Sequence, residues 1–178
     1  PLLFVALPDL LHSFSLLLRD TLDLMHELGD VQEKSNHSYI QHPSISAHPQ
    51  NQDFRDWTAL IDLPRDAWVS TAQSDPAQAK RAAEWWWQIP YPLFKRLAFF
   101  AATQSNVIAS RQALDWLLAD AHWWLWSVET EHEAIRLLLA LAPRLYDASL
   151  PKLDNATLQG PPRWLSRAHL RPEYREPD

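Results

Sequence analysis

Cysteine is absent from this chain, and glycine occurs only twice, at Gly29 and Gly160. Without cysteine there is no disulfide framework, no thiolate nucleophile and no cysteine zinc site. Two isolated glycines cannot build a glycine-rich phosphate loop or a dinucleotide fingerprint, because both need paired glycines where the backbone closes on a phosphate. Positive charge is also scarce: 16 Lys and Arg against 22 Asp and Glu leave a formal net charge of −6, with a pI near 5.7. That balance speaks against nucleic acid or an anionic membrane as the partner. No uninterrupted apolar run reaches the roughly 20 residues that a membrane span requires. The greasy start, Pro1 to Leu18, is broken by Asp9, His12, Ser13 and Ser15, and lacks the basic residues that open a signal peptide. These features fit a cytoplasmic protein. The abrupt apolar beginning, Pro-Leu-Leu-Phe-Val, reads as a piece of something longer, with loss of an initiator Met before Pro1 as the alternative.

Proline and tryptophan are abundant instead, with fourteen and ten residues among 178. That length suits one ordinary domain or a short run of helical repeats. Leu10, Leu11, Phe14, Leu17, Leu18, Leu22 and Met25 recur at three- and four-residue steps after Pro8 and Asp9, which predicts a helix ending at Gly29 as a left-handed cap. Residues 1–34 are therefore taken as an N-terminal helix. Residues 35–52 are polar, nearly uncharged and broken by Pro43 and Pro49, which predicts a long loop or linker without fixed order.

Residues 53–145 read as a helical core. Phe54, Trp57, Leu60 and Ile61 give one apolar face, and Pro64 marks a boundary before a second short helix over 66–72. Ser74-Asp75-Pro76 is a strong start for a helix through Trp87. Further helices are expected over 93–103, over 111–120 with Ser110 as cap, and from a capping box at Thr130 and Glu133 to about Pro143. No alternating run bounded by turn glycines appears. The expected fold is all-α. Residues 146–178, with Pro161-Pro162, Pro172 and the basic series Arg163, Arg167, Arg171 and Arg175, read as a strap or linker.

One feature repeats. Trp86 precedes Arg96-Leu97 by the same interval as Trp126 precedes Arg136-Leu137, and Ala98, Phe99 and Ala102 map by the same shift onto Leu138, Leu139 and Ala142. The offset of about 40 residues lies in the range of stacked helical hairpins of the HEAT or armadillo kind. Both helices are apolar nearly all round, so both are expected to be enclosed by neighbours, Leu138 included.

Candidate chemistry is sparse. Glu129, His132 and Glu133 share one helix face, but a carboxylate-bridged metal centre needs a second Glu-x-x-His, and a zinc-protease helix needs a second His. An acidic first turn facing the helix dipole, with Glu133 closing the cap, is the simpler reading. His37, His42 and His48 lie in the polar loop without carboxylates or Cys to complete a metal set, and His12 and His26 lie on the first helix. No nucleophile elbow surrounds any serine. The pairs Asp115 and Asp120, and Glu129 and Glu131, lack a context for glycoside chemistry. The chain is therefore expected to have no catalytic residues, no metal and no cofactor of its own.

The tryptophans carry more information. Trp85-Trp86-Trp87 and Trp123-Trp124-Leu125-Trp126 cannot all face one way, since helical neighbours differ by about 100°. Trp86 and Trp126, the repeat-matched pair, are expected in the core with their indole N–H groups on backbone carbonyls. Trp87, Trp123 and Trp124 are the candidates for binding a partner. Arg96 and Arg136 hold matching places on apolar helices, so each is expected to pair with a carboxylate, stack on a Trp or contact an anion.

The stretch Trp85-Trp86-Trp87-Gln88-Ile89-Pro90-Tyr91-Pro92-Leu93-Phe94-Lys95-Arg96-Leu97-Ala98 resembles segments of very large bacterial anti-phage defence proteins. In these a sirtuin-like NAD-consuming domain or an ATPase precedes a long α-helical repeat region. Residues 131–145 resemble the helix that closes such a unit, and the likeness covers residues 54–145. It implies a sensor or scaffold segment that recognises a phage protein or holds subunits together. No catalytic residue carries over, because the sirtuin glycine-rich loop and catalytic His context are missing.

The expected function is thus protein–protein recognition without catalysis, the partner being another protein, another domain of a larger chain or a second copy. Two rivals remain: an all-α carboxylate hydrolase with a Trp-lined cleft, and a nucleic-acid binder working through Arg163–Arg175.

Overall fold

A computed structural model describes residues 2–52, 57–104, 107–145 and 150–162. Nine helices stand among these residues, with no strand and one isolated bridge between Gln32 and Ser35. The all-α expectation holds, and successive helices pack on one another as stacked hairpins do. No helix among the described residues is long and apolar enough to cross a membrane.

Helix α1 (Leu2–Glu27) begins earlier than expected and carries Pro8 inside it. Leu7, Leu11, Ser15, Leu18 and Leu22 form one buried stripe at three- and four-residue steps, the spacing that keeps side chains on one face. Gly29 ends it as the sequence indicates, at φ +87. Its N–H donates to the His26 carbonyl at 3.0 Å and that of Asp30 to Met25 at 2.9 Å, the paired bonds of a Schellman cap.

Residues 35–52 are not a free loop. They make the helical turn α2 (Ser38–Gln41) and a 3-10 turn (Pro49–Gln52), and they bury Asn36, Ser38, His42, Ser44 and Ile45. Polarity misled the reading of this segment, because several of its polar groups, among them the Ser35 and Ser38 hydroxyls, the His42 carbonyl and the Ile45 N–H, are spent on tertiary hydrogen bonds rather than on water.

Helix α3 (Ala59–Ser74) runs straight through Pro64, where a boundary was expected. A proline inside a helix removes one backbone bond. Burial of Ile61, Pro64, Ala67, Trp68 and Thr71 along α1 offsets that loss. Helix α4 (Pro76–Gln88) starts as expected, with the Asp75 carboxylate accepting the Gln78 N–H at 2.9 Å. It buries Ala79, Ala83 and Trp86. The Trp86 indole donates to Ser15 Oγ at 2.9 Å rather than to a carbonyl, and Trp68 donates to the Ala79 carbonyl at 2.8 Å.

Helix α5 (Pro92–Gln104) is the axis of the fold: every residue from Pro92 to Ala102 is buried among α3, α4, α6 (Ser110–Leu117) and α8 (Glu131–Leu141). Ser110 lies inside α6 rather than capping it. Helix α7 (Ala119–Trp126) opens on a left-handed turn, with φ of 52, 54 and 67 at Asp120, Ala121 and His122. Each such residue costs roughly 1–2 kcal/mol. The Trp124 indole donates to Asp120 Oδ2 at 2.7 Å and so anchors this turn.

Helix α8 departs from two expectations. The capping box does not form: Thr130 Oγ1 donates to the Trp124 carbonyl at 2.7 Å, and Glu133 is drawn into the interior. Nor is α8 enclosed like α5. Glu133, Ala134, Leu137 and Leu141 are buried against its neighbours, Leu138 is half-buried, and Ile135 and Leu139 are 49% and 72% exposed. Residues 150–159, assigned to an aperiodic strap, form helix α9 (Leu150–Gln159), which buries Ala156. The basic series Arg163–Arg175 lies outside the described residues. One hydrophobic cluster extends from Leu7 to Leu145 and joins the N-terminal helix, the polar segment and the later helices.

Candidate functional site

Lys95 and Arg96 enter the interior because every face of α5 is covered, and a buried guanidinium needs acceptors. Arg96 is fully buried and finds three. Its Nε donates to Glu133 Oε2 at 2.7 Å, one terminal nitrogen to Ser38 Oγ at 3.2 Å and the other to the His42 carbonyl at 2.7 Å. Glu133 Oε1 in turn accepts the Ile45 N–H at 2.7 Å, and His132 Nδ1 lies 3.5 Å from the same oxygen. Burial alone would raise the Glu133 pKa. The Arg96 charge, with hydrogen bonds from His132, Arg96 and Ile45, brings it down to about 2 instead.

The polar segment is pinned at further points. Asn36 Oδ1 accepts from Ser38 Oγ at 2.7 Å and from its N–H at 3.1 Å. His42 Nε2 lies 3.2 Å from Asp62 Oδ1, and Arg65 bridges Asp62 to the Ile45 carbonyl. Burial would raise the Asp62 pKa, but His42 and Arg65 together lower it. Glu129, only 3% exposed, accepts Ser35 Oγ at 2.7 Å and the His37 N–H at 3.4 Å on Oε1. The left-handed backbone of His37, φ 53, lies at this contact.

The predicted groupings separate accordingly. Glu129 and Glu133 do face the same segment, but on different partners. His37 is exposed, His42 is buried against Asp62, and His48 approaches His132, with ring centroids 6.1 Å apart. No group of three His, Cys, Asp or Glu able to hold a metal occurs among the described residues.

The tryptophans turn inward. Trp123 and Trp124 are 6% and 2% exposed, so neither offers the partner-binding surface expected of it. Trp87 is half-buried, stacked on Trp116 at 5.4 Å and on Phe99 at 5.9 Å, with Trp124 edge-on at 6.3 Å. Lys95 Nζ sits 4.4 Å from the Trp87 ring centre and 5.4 Å from that of Trp124, and donates to the Trp87 carbonyl. Burial lowers the Lys95 pKa to about 8, with Asp120 opposing the shift. A cation over two indole faces ties helices α4, α5 and α7 into one packed unit. The match between Arg96 and Arg136 also fails in space: Arg136 is exposed, because α8 is covered on one side only. Likewise Trp126 is half-buried where Trp86 is fully enclosed.

Two surface features went unread in the sequence. The first is the outer face of α8, where Ile135 and Leu139 stand one turn apart beside a pocket of about 280 Å³. Tyr39, Pro43, Val128 and Ile135 give that pocket apolar walls, and Glu129, Glu131, His132 and Glu133 complete it. The four-residue step from Ile135 to Leu139 was visible, but nothing local says which side of an all-apolar helix meets water. The second is an open pocket of about 440 Å³ between Trp85 and Trp116. Its lining holds a single carboxylate, Glu84, to which Gln112 donates at 2.9 Å. Glycoside hydrolysis uses two.

No family model matches this sequence, and neither a curated protein nor a solved structure does.

Proposed function

We propose that this chain is a non-catalytic helical scaffold that recognises another protein through the outer face of α8. Residues 53–145 act as a stretch of stacked helical hairpins, and the unit works in the cytoplasm as part of a larger assembly. The observation that carries this reading is the exposure of Ile135 and Leu139 on a helix whose opposite side is built into the core. Apolar side chains one turn apart, rimmed by Glu131, His132 and Arg136, have the composition of an interface centre with a polar edge.

The state of the interior supports the absence of chemistry. Glu133 is held ionised by Arg96, far from the pKa near neutrality that a general acid needs. Arg96 and Lys95 are occupied by the fold itself. The resemblance of residues 85–98 to helical regions of anti-phage defence proteins makes a phage protein or a further defence domain the expected class of partner.

Exchange of Leu139 to Asp tests the reading. A surface change of this kind is expected to shift stability by no more than about 0.5 kcal/mol. Association should nevertheless be lost, read as co-purification from the native source and as self-association in sedimentation velocity. Undiminished association in the L139D chain would refute this face as the interface.

A further inference from the structure

We propose that the outer face of α1 docks a basic amphipathic helix of a partner protein, at a site separate from α8. The observation behind it is a second apolar stripe on a helix whose first stripe, Leu7, Leu11, Leu18 and Leu22, is already buried. Leu10, Phe14, Leu17, Thr21, Leu24 and Leu28 follow one another at steps of four, three, four, three and four residues. Leu10 and Leu17 each stand one place before a core residue, so the second stripe is turned about 100° from the first. Leu17, Leu24 and Leu28 are 48%, 56% and 69% exposed. Leu28 lies just past the end of α1, yet its N–H still donates to the Leu24 carbonyl at 3.0 Å, so the register continues to it. The Thr21 hydroxyl donates to the Leu17 carbonyl at 2.8 Å, which satisfies the one polar side chain in the stripe.

The spacing identifies the kind of occupant. A stripe that repeats every 3.5 residues is the seam of a coiled coil, in which the side chains of a second helix seat between those of the first. From Leu10 to Leu28 it runs about 27 Å, roughly five turns of contact for such a helix. Charge identifies its flanks. Asp20 and Glu27 stand one place before Thr21 and Leu28, where coiled coils carry the residues that select a partner, and Asp9 stands one place before Leu10; all three are exposed. The single arginine of α1, Arg19, is shared between Asp20 at 2.8 Å and Asp23 at 3.6 Å, leaving Asp9 and Glu27 without an ion pair among the described residues. Lysine or arginine flanking the apolar seam of the incoming helix complements this acidic edge. A second copy of the chain would bring the same acidic edge, and an anionic membrane would be repelled by it.

The test uses the whole chain and a fluorescein-labelled three-heptad peptide with leucine at its a and d positions and lysine at e and g. Controls are the same peptide with glutamate for lysine, and one with its leucines scrambled out of register. Saturable binding is expected for the lysine peptide alone, with amide shifts at Leu17, Leu24 and Leu28 in the nitrogen-15-labelled chain, and added salt should weaken it. Leu24→Asp, at an exposed position, should leave the fold intact and weaken binding roughly tenfold or more. Glu27→Lys should weaken binding of the lysine peptide about two- to fivefold and strengthen that of the glutamate peptide. The L139D chain should bind the peptide as wild type does, so that failure of this site and failure of the α8 interface are told apart. Equal binding of the scrambled peptide, or no saturable binding, would overturn the helix seat. Self-association of the free chain that L24D abolishes would assign the face to a second copy instead, and L24D-sensitive binding to phosphatidylserine vesicles would assign it to a membrane.

Discussion

Arg96 on α5 and Glu133 on α8 meet at 2.7 Å with almost no surface left to water, and the segment 38–45 is folded over both of them. Two charges withdrawn from water are costly individually, and their attraction offsets the cost only when the remaining donors and acceptors are satisfied. Ser38 Oγ, the His42 carbonyl and the Ile45 N–H provide that satisfaction. The pair therefore explains why a polar, proline-broken stretch holds a defined path: its groups are the ones that make the buried charges tolerable.

Breaking this pair is expected to be expensive. Glu133→Gln leaves Arg96 buried without its counter-charge and should cost about 3–5 kcal/mol in urea unfolding. The Glu133 pKa is lowered from 4.5 to about 2, so its contribution is complete above about pH 4.5 and disappears as pH falls towards 2. Asp62, also lowered, acts in a similar acidic window. The difference between wild type and E133Q isolates Glu133: it should be constant at pH 5–7 and shrink below pH 4.5. A difference independent of pH from 5 to 2.5 would contradict the ion pair.

Lys95 should behave in the opposite sense. Its pKa falls from 10.5 to about 8 on burial, so between those values the unfolded chain holds the proton more tightly than the folded one. Stability conferred through this group accordingly rises with pH from 8 to 10.5. Lys95→Met retains an unbranched stem beside Trp87 and removes the ionisable head. Chemical denaturation at pH 7, 8.5 and 10 should show the rise in wild type and its loss in K95M.

The helices matched by the repeat should respond differently to truncation. Leu97 is fully buried on α5, and Leu97→Ala is expected to cost about 2–5 kcal/mol. Leu139→Ala removes a side chain that is 72% exposed and should change stability by less than about 0.5 kcal/mol. Thermal or urea melts of the two variants settle the matter, and similar costs would mean that α8 is enclosed after all.

Local signals were readable wherever a residue acts on its own neighbourhood. Gly29 as a helix end, Asp75-Pro76 as a helix start and the helical class follow from backbone preference and apolar period alone. The burial of Arg96 was legible too, since α5 is apolar on every side, but which of a carboxylate, a Trp or an anion meets it is decided only where Glu133 stands beside it. Thr130 and Glu133 show the limit of such signals. Their spacing is that of a capping box, yet each finds a better partner far away in sequence or in another element, and a local motif yields to a buried charge.

The chain order by itself therefore determined that this protein is helical and where several helices begin and end. Tertiary packing alone decided that Trp123 and Trp124 lie inside, that Arg136 has no share in the role of Arg96, and that Ile135 and Leu139 face outward. The physical reason is that periodicity records how apolar a face is, whereas exposure depends on whether another element arrives to cover it. For α5 neighbours close in from all sides; for α8 they come from one.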